Sequence, residues 1–358
     1  MWRELYRINE KDVQTSKLKT LEKYLNKQVH EYIIENFTFD SDVTVLDSES
    51  IFNIDVLDKE QDGIVNIHRI NDIRWVNKYF EAINAKLNNG GLLIGSVETY
   101  RQRKKRILSK YNPVIAYPAY WIDFLVKRVF PKLKLTQWLY FVLTRGHNRA
   151  ISRAEAFGRL YSCGFEFVSE KEIENVMYFV FKKVSPPKYD TEPTYGPFVK
   201  LKRIGKNGKE INVRKFRTMY AYSEYLQGLV YEYNDLASGG KFKDDFRVTN
   251  WGKFMRKFWI DEYPMLWNVL KGELKIVGVR PLSNHYYNLY DEDLRKMRVK
   301  VKPGLVPPYY VDMPKTLEEI QDSERRYLEA YEKNPWKTQW KYFGKAMYNI
   351  LIKRARSS

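Results

Sequence analysis

Residues that build covalent cross-links and transition-metal sites are scarce in this sequence. Of 358 residues only Cys163 is a cysteine, which excludes an internal disulfide, and four scattered histidines provide no Cys/His cluster. A reducing cytoplasm is expected. The N-terminus, MWRELYRINEKD, lacks the apolar core of a signal peptide, and no uninterrupted apolar run reaches the length of a membrane-spanning helix. Acidic side chains are almost missing from residues 101–150, which hold one against twelve basic ones, whereas residues 1–100 carry a net negative charge. The chain as a whole stands at +18. An excess this local implies an anionic partner: nucleic acid, phosphates or a lipid surface. No nucleic-acid motif accompanies the charge, so nucleic acid is not the expected partner.

What is present says globular. Hydrophobic residues make up 44% and aromatics 16%, and the length suffices for two domains with ordinary cores. Residues 1–40 read as helical, with Leu18, Leu21, Leu25 and Val29 on one face. Val43–Leu46, Ile51–Val56 and Gly63–Ile67 are short apolar segments. Asn71–Leu87 has amphipathic helical spacing, and Gly91–Val97 reads as a buried strand after the turn Asn88-Asn89-Gly90-Gly91. Arg153–Leu160 reads as a helix, followed by two strands, Phe165–Ser169 and Met177–Lys183, joined by an acidic turn. The alternation predicts an α/β layer with a mostly parallel sheet. With LNNGGLLIGSVET, this part resembles the second half of a class I methyltransferase fold, a Rossmann-type domain. Its cofactor half departs from that pattern, since VTVLDSES has no glycine where backbone would approach a cofactor closely. The expected organisation is a methyltransferase-like domain without a cofactor loop over 1–185, a basic aromatic insertion at 100–149, a linker at 186–194 and a second, α+β domain over 195–358.

The stretch WGKFMRKFWIDEYPMLWNVLKGELKIVGVRP, Trp251–Pro281, organises the second domain. Pro264 fits a first helical turn, which puts Asp261 and Glu262 at or just before a helix start. Met265, Leu266, Val269 and Leu270 give the spacing of a buried face, and Gly272 stops the run. A carboxylate pair at a helix start caps the helix and suits its dipole. With phosphate nearby, the same pair can attack a phosphoryl group or carry a divalent metal, and Arg256 and Arg280 flank it.

In order along the chain stand Gly196-Pro197, Arg203-Ile204-Gly205-Lys206-Asn207-Gly208-Lys209, Lys215-Phe216-Arg217-Thr218-Met219, Arg247-Val248-Thr249, Arg256, Asp261-Glu262, Pro264, Asn268-Val269-Leu270-Lys271-Gly272, Val277-Gly278-Val279-Arg280-Pro281 and Lys302-Pro303-Gly304. This series resembles the bacterial sugar transferase family, the monotopic phosphoglycosyl transferases, from about Tyr195 to the C-terminus. Departures are Val279 where the family usually has Pro, Pro307-Pro308-Tyr309-Tyr310 after the Pro-Gly turn, and the polar connector PPKYDTEPTYGP where a hydrophobic re-entrant helix normally stands.

The resemblance implies an enzyme at the cytoplasmic face of the bacterial inner membrane that starts a capsule or exopolysaccharide. It would move a sugar-1-phosphate from an NDP-sugar, a UDP-sugar for preference, to polyprenyl phosphate. Asp261 would be the nucleophile, Glu262 would hold Mg²⁺, and Lys215, Arg217, Arg247, Arg256 and Arg280 would bind phosphates. The alternative is a catalytically weakened membrane scaffold for glycan assembly, favoured by the missing helix and the altered loop. For the lipid contact, the sequence offers Tyr100–Arg149, where Trp121, Phe124 and Trp138 interleave with Lys127, Arg128, Lys132 and Lys134. An interfacial stretch cut by Asp123 and Pro131 should lie on an anionic surface and not span it. The other reading is a helical insertion packed on its own domain. The C-terminal helix read at Trp340–Arg354 is expected to pack on the core.

The glycine-free loop carries the first prediction. Calorimetry should detect no S-adenosylmethionine binding, and saturable micromolar binding would make the chain bifunctional.

Overall fold

A computed structural model describes residues 25–37, 42–58, 60–133, 135–189, 196–233, 236–237, 241–242 and 245–353. The helical reading of residues 1–24, the sequence linker's residues 190–194, Gly239-Gly240 and Lys134 lie outside them. The chain divides into two compact units, Met1–Tyr195 with Tyr220–Leu229, and Gly196–Met219 with Val230–Ser358. The first is built on a five-stranded sheet in the order β1-β2-β3-β5-β4. Its strands are β1 (Val43–Leu46), β2 (Gln61–Arg69), β3 (Leu87–Val97), β4 (Phe165–Ile173) and β5 (Val176–Lys183). The pairs β1/β2 and β2/β3 run parallel, while β3/β5 and β4/β5 run antiparallel. The sheet is therefore mixed, not mostly parallel as the alternation predicts, because the closing hairpin contributes both antiparallel pairs. Helix α1 (Lys27–Ile34) buries Val29, Tyr32 and Ile33 in a core with Val43, Val45, Val65, Ile94 and Val180. The short apolar segment Ile51–Val56 forms α2 (Ile51–Asp55), followed later by α3 (Val76–Lys86). That helix starts five residues later than its periodicity suggests, because Asn71 serves another purpose. Its side chain donates to the carbonyls of Glu98 (2.8 Å) and Arg149 (2.7 Å) and accepts from Glu98 N–H at 2.8 Å.

Those bonds close the neck of the insertion, where Thr99 also bridges Ile151 in parallel. Thr99 and Gln102 form a capping box that starts α4 (Tyr100–Lys110), followed by α5 (Pro113–Phe124) with a π-turn at Leu125–Val129, and α6 (Gln137–Thr144). The basic run is partly neutralised from inside. Glu98 takes Arg103 at 3.2 Å and Arg106 at 2.5 Å, and Asp123 takes Arg103 at 2.6 Å and Lys127 at 3.3 Å. The helix α7 (Arg153–Ser162) supplies Glu155, 1% exposed, which receives Arg128 at 2.5 Å, Lys132 at 3.0 Å and Arg159 at 3.1 Å. Arg128, expected at a lipid surface, is thus an internal ion-pair partner, and Lys127 is turned to Asp123. Phe124 is half-buried against Tyr120 and Trp121. Trp121 and Trp138 do lie on the surface, at 58% and 63% exposure, beside exposed Val114, Ile115, Ile122, Val142 and Leu143. The segment Tyr220–Leu229, which the sequence groups with the second domain, packs in this unit. Tyr222 accepts a hydrogen bond from Asn77 at 2.9 Å, its ring lies under Arg159, and Gly158 is required because a Cβ would overlap the Tyr222 carbonyl. The segment then enters α8 (Gln227–Tyr233).

In the second unit, β6 (Phe198–Ile204) and β7 (Glu210–Phe216) form an antiparallel hairpin closed by the Gly205–Lys209 turn. There follow α9 (Asn250–Lys257), a 3₁₀ segment Ile260–Met265, α10 (Leu266–Leu270), β8 (Lys275–Val277), α11 (Asn284–Asn288), α12 (Glu292–Val299) and β9 (Gly304–Val306). β8 and β9 pair in parallel. The chain ends through α13 (Tyr309–Asp312), α14 (Leu317–Lys333) and α15 (Pro335–Leu351). Val277, Val279, Leu294, Tyr310, Tyr327 and Ala346 form the core, with Phe343 and Ile350 of α15 packed against it, as expected of the last helix. Its start is Pro335, not Trp340, because Asn334 caps it there. The Tyr327 hydroxyl donates to the Val277 carbonyl at 2.9 Å, and buried Arg298 pairs with Glu324.

Glu155 is a buried acceptor shared by three cations of the first unit, so removing it leaves buried positive charge unpaired. Glu155→Ala should cost about 3–5 kcal/mol in urea unfolding of this unit. A loss below about 1 kcal/mol would show the node to be dispensable.

Candidate functional site

The site is assembled from the hairpin and the turn between α9 and α10. Thr249 caps α9, its Oγ1 accepting from Gly252 N–H at 2.7 Å, while its own N–H donates to the Thr218 carbonyl at 2.9 Å. Gly252 is obligatory, because a Cβ would collide with that carbonyl. The helix ends at Phe258, and Trp259 takes a left-handed conformation (φ +61) that reverses the chain direction. Its ring packs at a tilt on Tyr310, centroids 4.3 Å apart, so the divergent Pro307-Pro308-Tyr309-Tyr310 loop props this turn. Asp261 and Glu262 occupy the first turn of the 3₁₀ segment, with Pro264 inside it.

That tighter turn shifts the phase of the helix after it. Met265 is buried and Val269 packs against the same cluster, but Leu266 and Leu270 are 50% and 80% exposed, so only half of the expected apolar face turns inward. The inner position belongs to Asn268, 1% exposed, which donates to the Asn212 carbonyl (2.8 Å) and Glu273 (2.6 Å) and accepts from Arg214 N–H (3.1 Å). A 3₁₀ turn advances three residues where an α-turn advances 3.6, and helical periodicity read across the junction goes out of register.

Lys215 on β7 reaches Glu262 at 2.6 Å, both side chains about one-fifth exposed. Arg256 donates from Nε and Nη2 to Thr218 Oγ1, at 3.0 and 2.9 Å. Burial and the neighbouring Glu262 raise the Asp261 carboxyl above the ordinary aspartate range, and Lys215 and Arg256 oppose the rise. Among the described residues Asp261 makes no side-chain ion pair. Arg247 is held by Asp245 at 2.7 Å and lies within the electrostatic surroundings of Arg256. Of the residues named from sequence, Asp261, Glu262, Lys215, Arg256 and Arg247 therefore come together. Arg217 directs its Nε to the Gly196 carbonyl at 2.9 Å, and exposed Arg280 acts on Arg203 rather than on Asp261. Thr218, Asp245 and Asn268 were missed as supports. Thr218 and Asn268 stand within the ordered motifs and Asp245 two residues before Arg247, but nothing in the motifs marks them as hydrogen-bonding supports. Among the described residues no three His, Cys, Asp or Glu converge for a metal. The two adjacent carboxylates are what the site offers a hard cation, with phosphates completing its shell.

The family model for bacterial sugar transferases matches residues 189–343. The chain is similar to the galactosyl transferase CpsE of Streptococcus agalactiae, 40% identical over 105 residues, which are 29% of this chain and 23% of that protein. It is also similar to the uncharacterized sugar transferase EpsL of Bacillus subtilis, 40% identical over 108 residues, 30% of this chain and 47% of that one. With the undecaprenyl-phosphate galactose phosphotransferase of Salmonella typhimurium it shares 30% identity over 143 residues, 38% of this chain and 29% of that one. The chain spans less than half the length of these curated relatives. An O-methyltransferase family 2 protein from Planctomyces limnophilus superposes with a TM-score of 0.24 at 17% identity, over 37% of this chain and 33% of that one, too slight a likeness to assign a fold.

The charge arrangement sets a titration order. In a carboxyl NMR titration Asp261 should protonate at higher pH than an ordinary aspartate. Glu262→Gln should lower its midpoint by removing a like charge, and Lys215→Met should raise it by removing a cation. A midpoint that neither substitution moves would disconnect the three groups.

Proposed function

We propose that the chain, whose residues 189–343 match the bacterial sugar transferase family, transfers a sugar-1-phosphate from an NDP-sugar to polyprenyl phosphate. The observation that carries this reading is the Asp261 carboxylate, free of a side-chain ion pair among the described residues, set between Glu262 and the cations Lys215 and Arg256. One Asp261 oxygen attacks the sugar-bearing phosphorus of the donor. The bond from that phosphorus to the bridging oxygen breaks, and the electron pair leaves with NMP. A polyprenyl phosphate oxygen then attacks the aspartyl-phosphosugar, forming the lipid diphosphate-sugar and freeing the carboxylate. The reaction needs Asp261 ionised, so its raised pKa puts the acid limb of the rate above the usual aspartate range. Lys215, Arg256 and Arg247 neutralise the phosphate oxygens as charge develops. Glu262 would hold Mg²⁺ together with substrate phosphates, and the ion would supply further charge neutralisation between the phosphates. UDP-sugars are the preferred donors, because relatives are named for UDP-sugar transfer.

The acceptor lies in a bilayer, and no helix among the described residues is long and apolar enough to cross one. The insertion supplies a surface instead. Exposed Trp121, Trp138, Ile122, Val142 and Leu143 stand in the same insertion as exposed Lys104, Lys105 and Lys110 of α4. Aromatics favour the headgroup boundary, and each basic side chain gains on the order of 1 kcal/mol near an anionic leaflet. This reading retains Trp121 and Trp138 and replaces Arg128 with the exposed lysines.

Two expected outcomes test the proposal. Without acceptor, wild type should release at most one equivalent of NMP from its donor and keep a covalent adduct, and Asp261→Asn should do neither. Near-wild-type turnover by that variant assigns the nucleophile elsewhere, and loss of all release in wild type favours a scaffold. Wild type should float with anionic vesicles, and Trp121→Ser, Trp138→Ser, Lys104→Glu, Lys105→Glu combined should stay in solution while still forming the adduct. Undiminished flotation would remove the insertion from the lipid contact.

A further inference from the structure

A second charged feature of the C-terminal unit takes no part in the transfer scheme. Beside the hairpin lies a cavity of about 430 Å³, lined by the cations Lys200, Lys206, Lys209, Arg214, Lys271 and Lys302. None of Asp261, Glu262, Lys215, Arg217, Arg247 or Arg256 lines it. Strand alternation gives the reason. Ile211 and Val213 turn one face of β7 toward Met265 and Leu274, and Lys215 continues that face, whereas Glu210, Asn212 and Arg214 point to the other.

The cavity's own carboxylates are engaged. Glu210 pairs with Lys202, outside the cavity, at 3.4 Å, and Glu273 accepts from Asn268 at 2.6 Å. Among the described residues, Lys200, Lys206, Lys209 and Lys302 have no carboxylate partner. Arg214 and Lys271 lie 5.9 and 6.0 Å from the Trp267 ring, and the Lys302 ammonium would stand 3.4 Å from a Cβ on Gly272. The wall is rigid, since Asn268 ties β7 to the turn after α10 through its three hydrogen bonds. Six cations from the hairpin, the end of α10 and the approach to β9 thus face one polar space that holds two carboxylates, so positive charge is in excess there. Their mutual repulsion is relieved by a multivalent anion, and the volume falls in the range of small-ligand sites.

We propose that this cavity is a phosphoanion site, separate from the Asp261 site, that takes a diphosphate-bearing ligand. The diphosphate can belong to a soluble nucleotide or to a lipid-linked group, and the recognition chemistry is the same for both. The lysines supply point charges and Arg214 a planar fork for oxygen pairs. The site does not rest on the transfer reaction, since it involves none of the residues given a role there.

Equilibrium binding of inorganic pyrophosphate by the full chain provides the test, in Asp261→Asn so that no chemistry intervenes. Binding should be saturable and weaken with salt, and Lys206→Glu with Lys209→Glu should reduce affinity on the order of tenfold or more. Both residues lie on the exposed hairpin turn, and Lys302→Met should act in the same direction without touching it. Trp267 gives a local readout: its fluorescence should respond to pyrophosphate, and the response should vanish in Trp267→Phe. A parallel flotation assay with vesicles containing a lipid diphosphate separates the sources, since a loss in the double variant confined to vesicles assigns the site to lipid. If both pocket variants bind pyrophosphate and vesicles like their parent, or if only Lys215→Met and Arg256→Met weaken binding, the proposal is overturned.

Discussion

The ion pair between Lys215 and Glu262 is the constraint on which the candidate site depends. It joins the end of the hairpin to a turn that otherwise follows a left-handed Trp259 and a proline-containing 3₁₀ segment. The link spends one carboxylate and leaves its neighbour, Asp261, under pressure from burial and like charge. Two adjacent acids thereby become unequal, Glu262 held by an ion pair and Asp261 shifted toward its protonated form. Thr218 completes the arrangement from below, receiving Arg256 through its hydroxyl and Thr249 through its carbonyl.

The two units treat their large positive charge in opposite ways. In the first, Glu98, Asp123 and Glu155 collect the arginines of the insertion into internal pairs, with three cations gathered on Glu155. Burying charge is tolerable there because partners and geometry are supplied within the fold. In the second, cations on the hairpin, beside Gly272 and at Lys302 face a cavity where six of them stand against two carboxylates. The same residue types are structural cement in one place and an open demand for an anion in the other.

How much of this was legible in the sequence varied with the range of the interaction. The Asp261-Glu262 pair and Arg256 follow from local spacing, and much of the helix and strand alternation of the first unit is readable from hydrophobic period. Arg128 was misjudged because its partner Glu155 is remote in sequence and nothing local distinguishes a snorkelling arginine from a buried one. Leu266 and Leu270 were placed inward because periodicity gives a stripe but not its phase, and the 3₁₀ segment before them resets that phase. The ion pair of Lys215 and the charged cavity depend on tertiary folding, which brings together segments that no window of sequence contains.

The neck of the insertion has one more consequence. The chain leaves the sheet at Thr99 and returns at Ile151 to a point directly bridged to it, and Asn71 spans both sides of the opening. The ends of Tyr100–Ala150 are thus already juxtaposed by the scaffold, so the entropy of closing this excursion depends only weakly on its length. The helices beyond the neck are tied to the sheet-bearing part through Arg128 and Lys132 on Glu155 and through Arg103 and Arg106 on Glu98, so a change of length that keeps these pairs should leave the pairing of β3 with β2 and β5 intact.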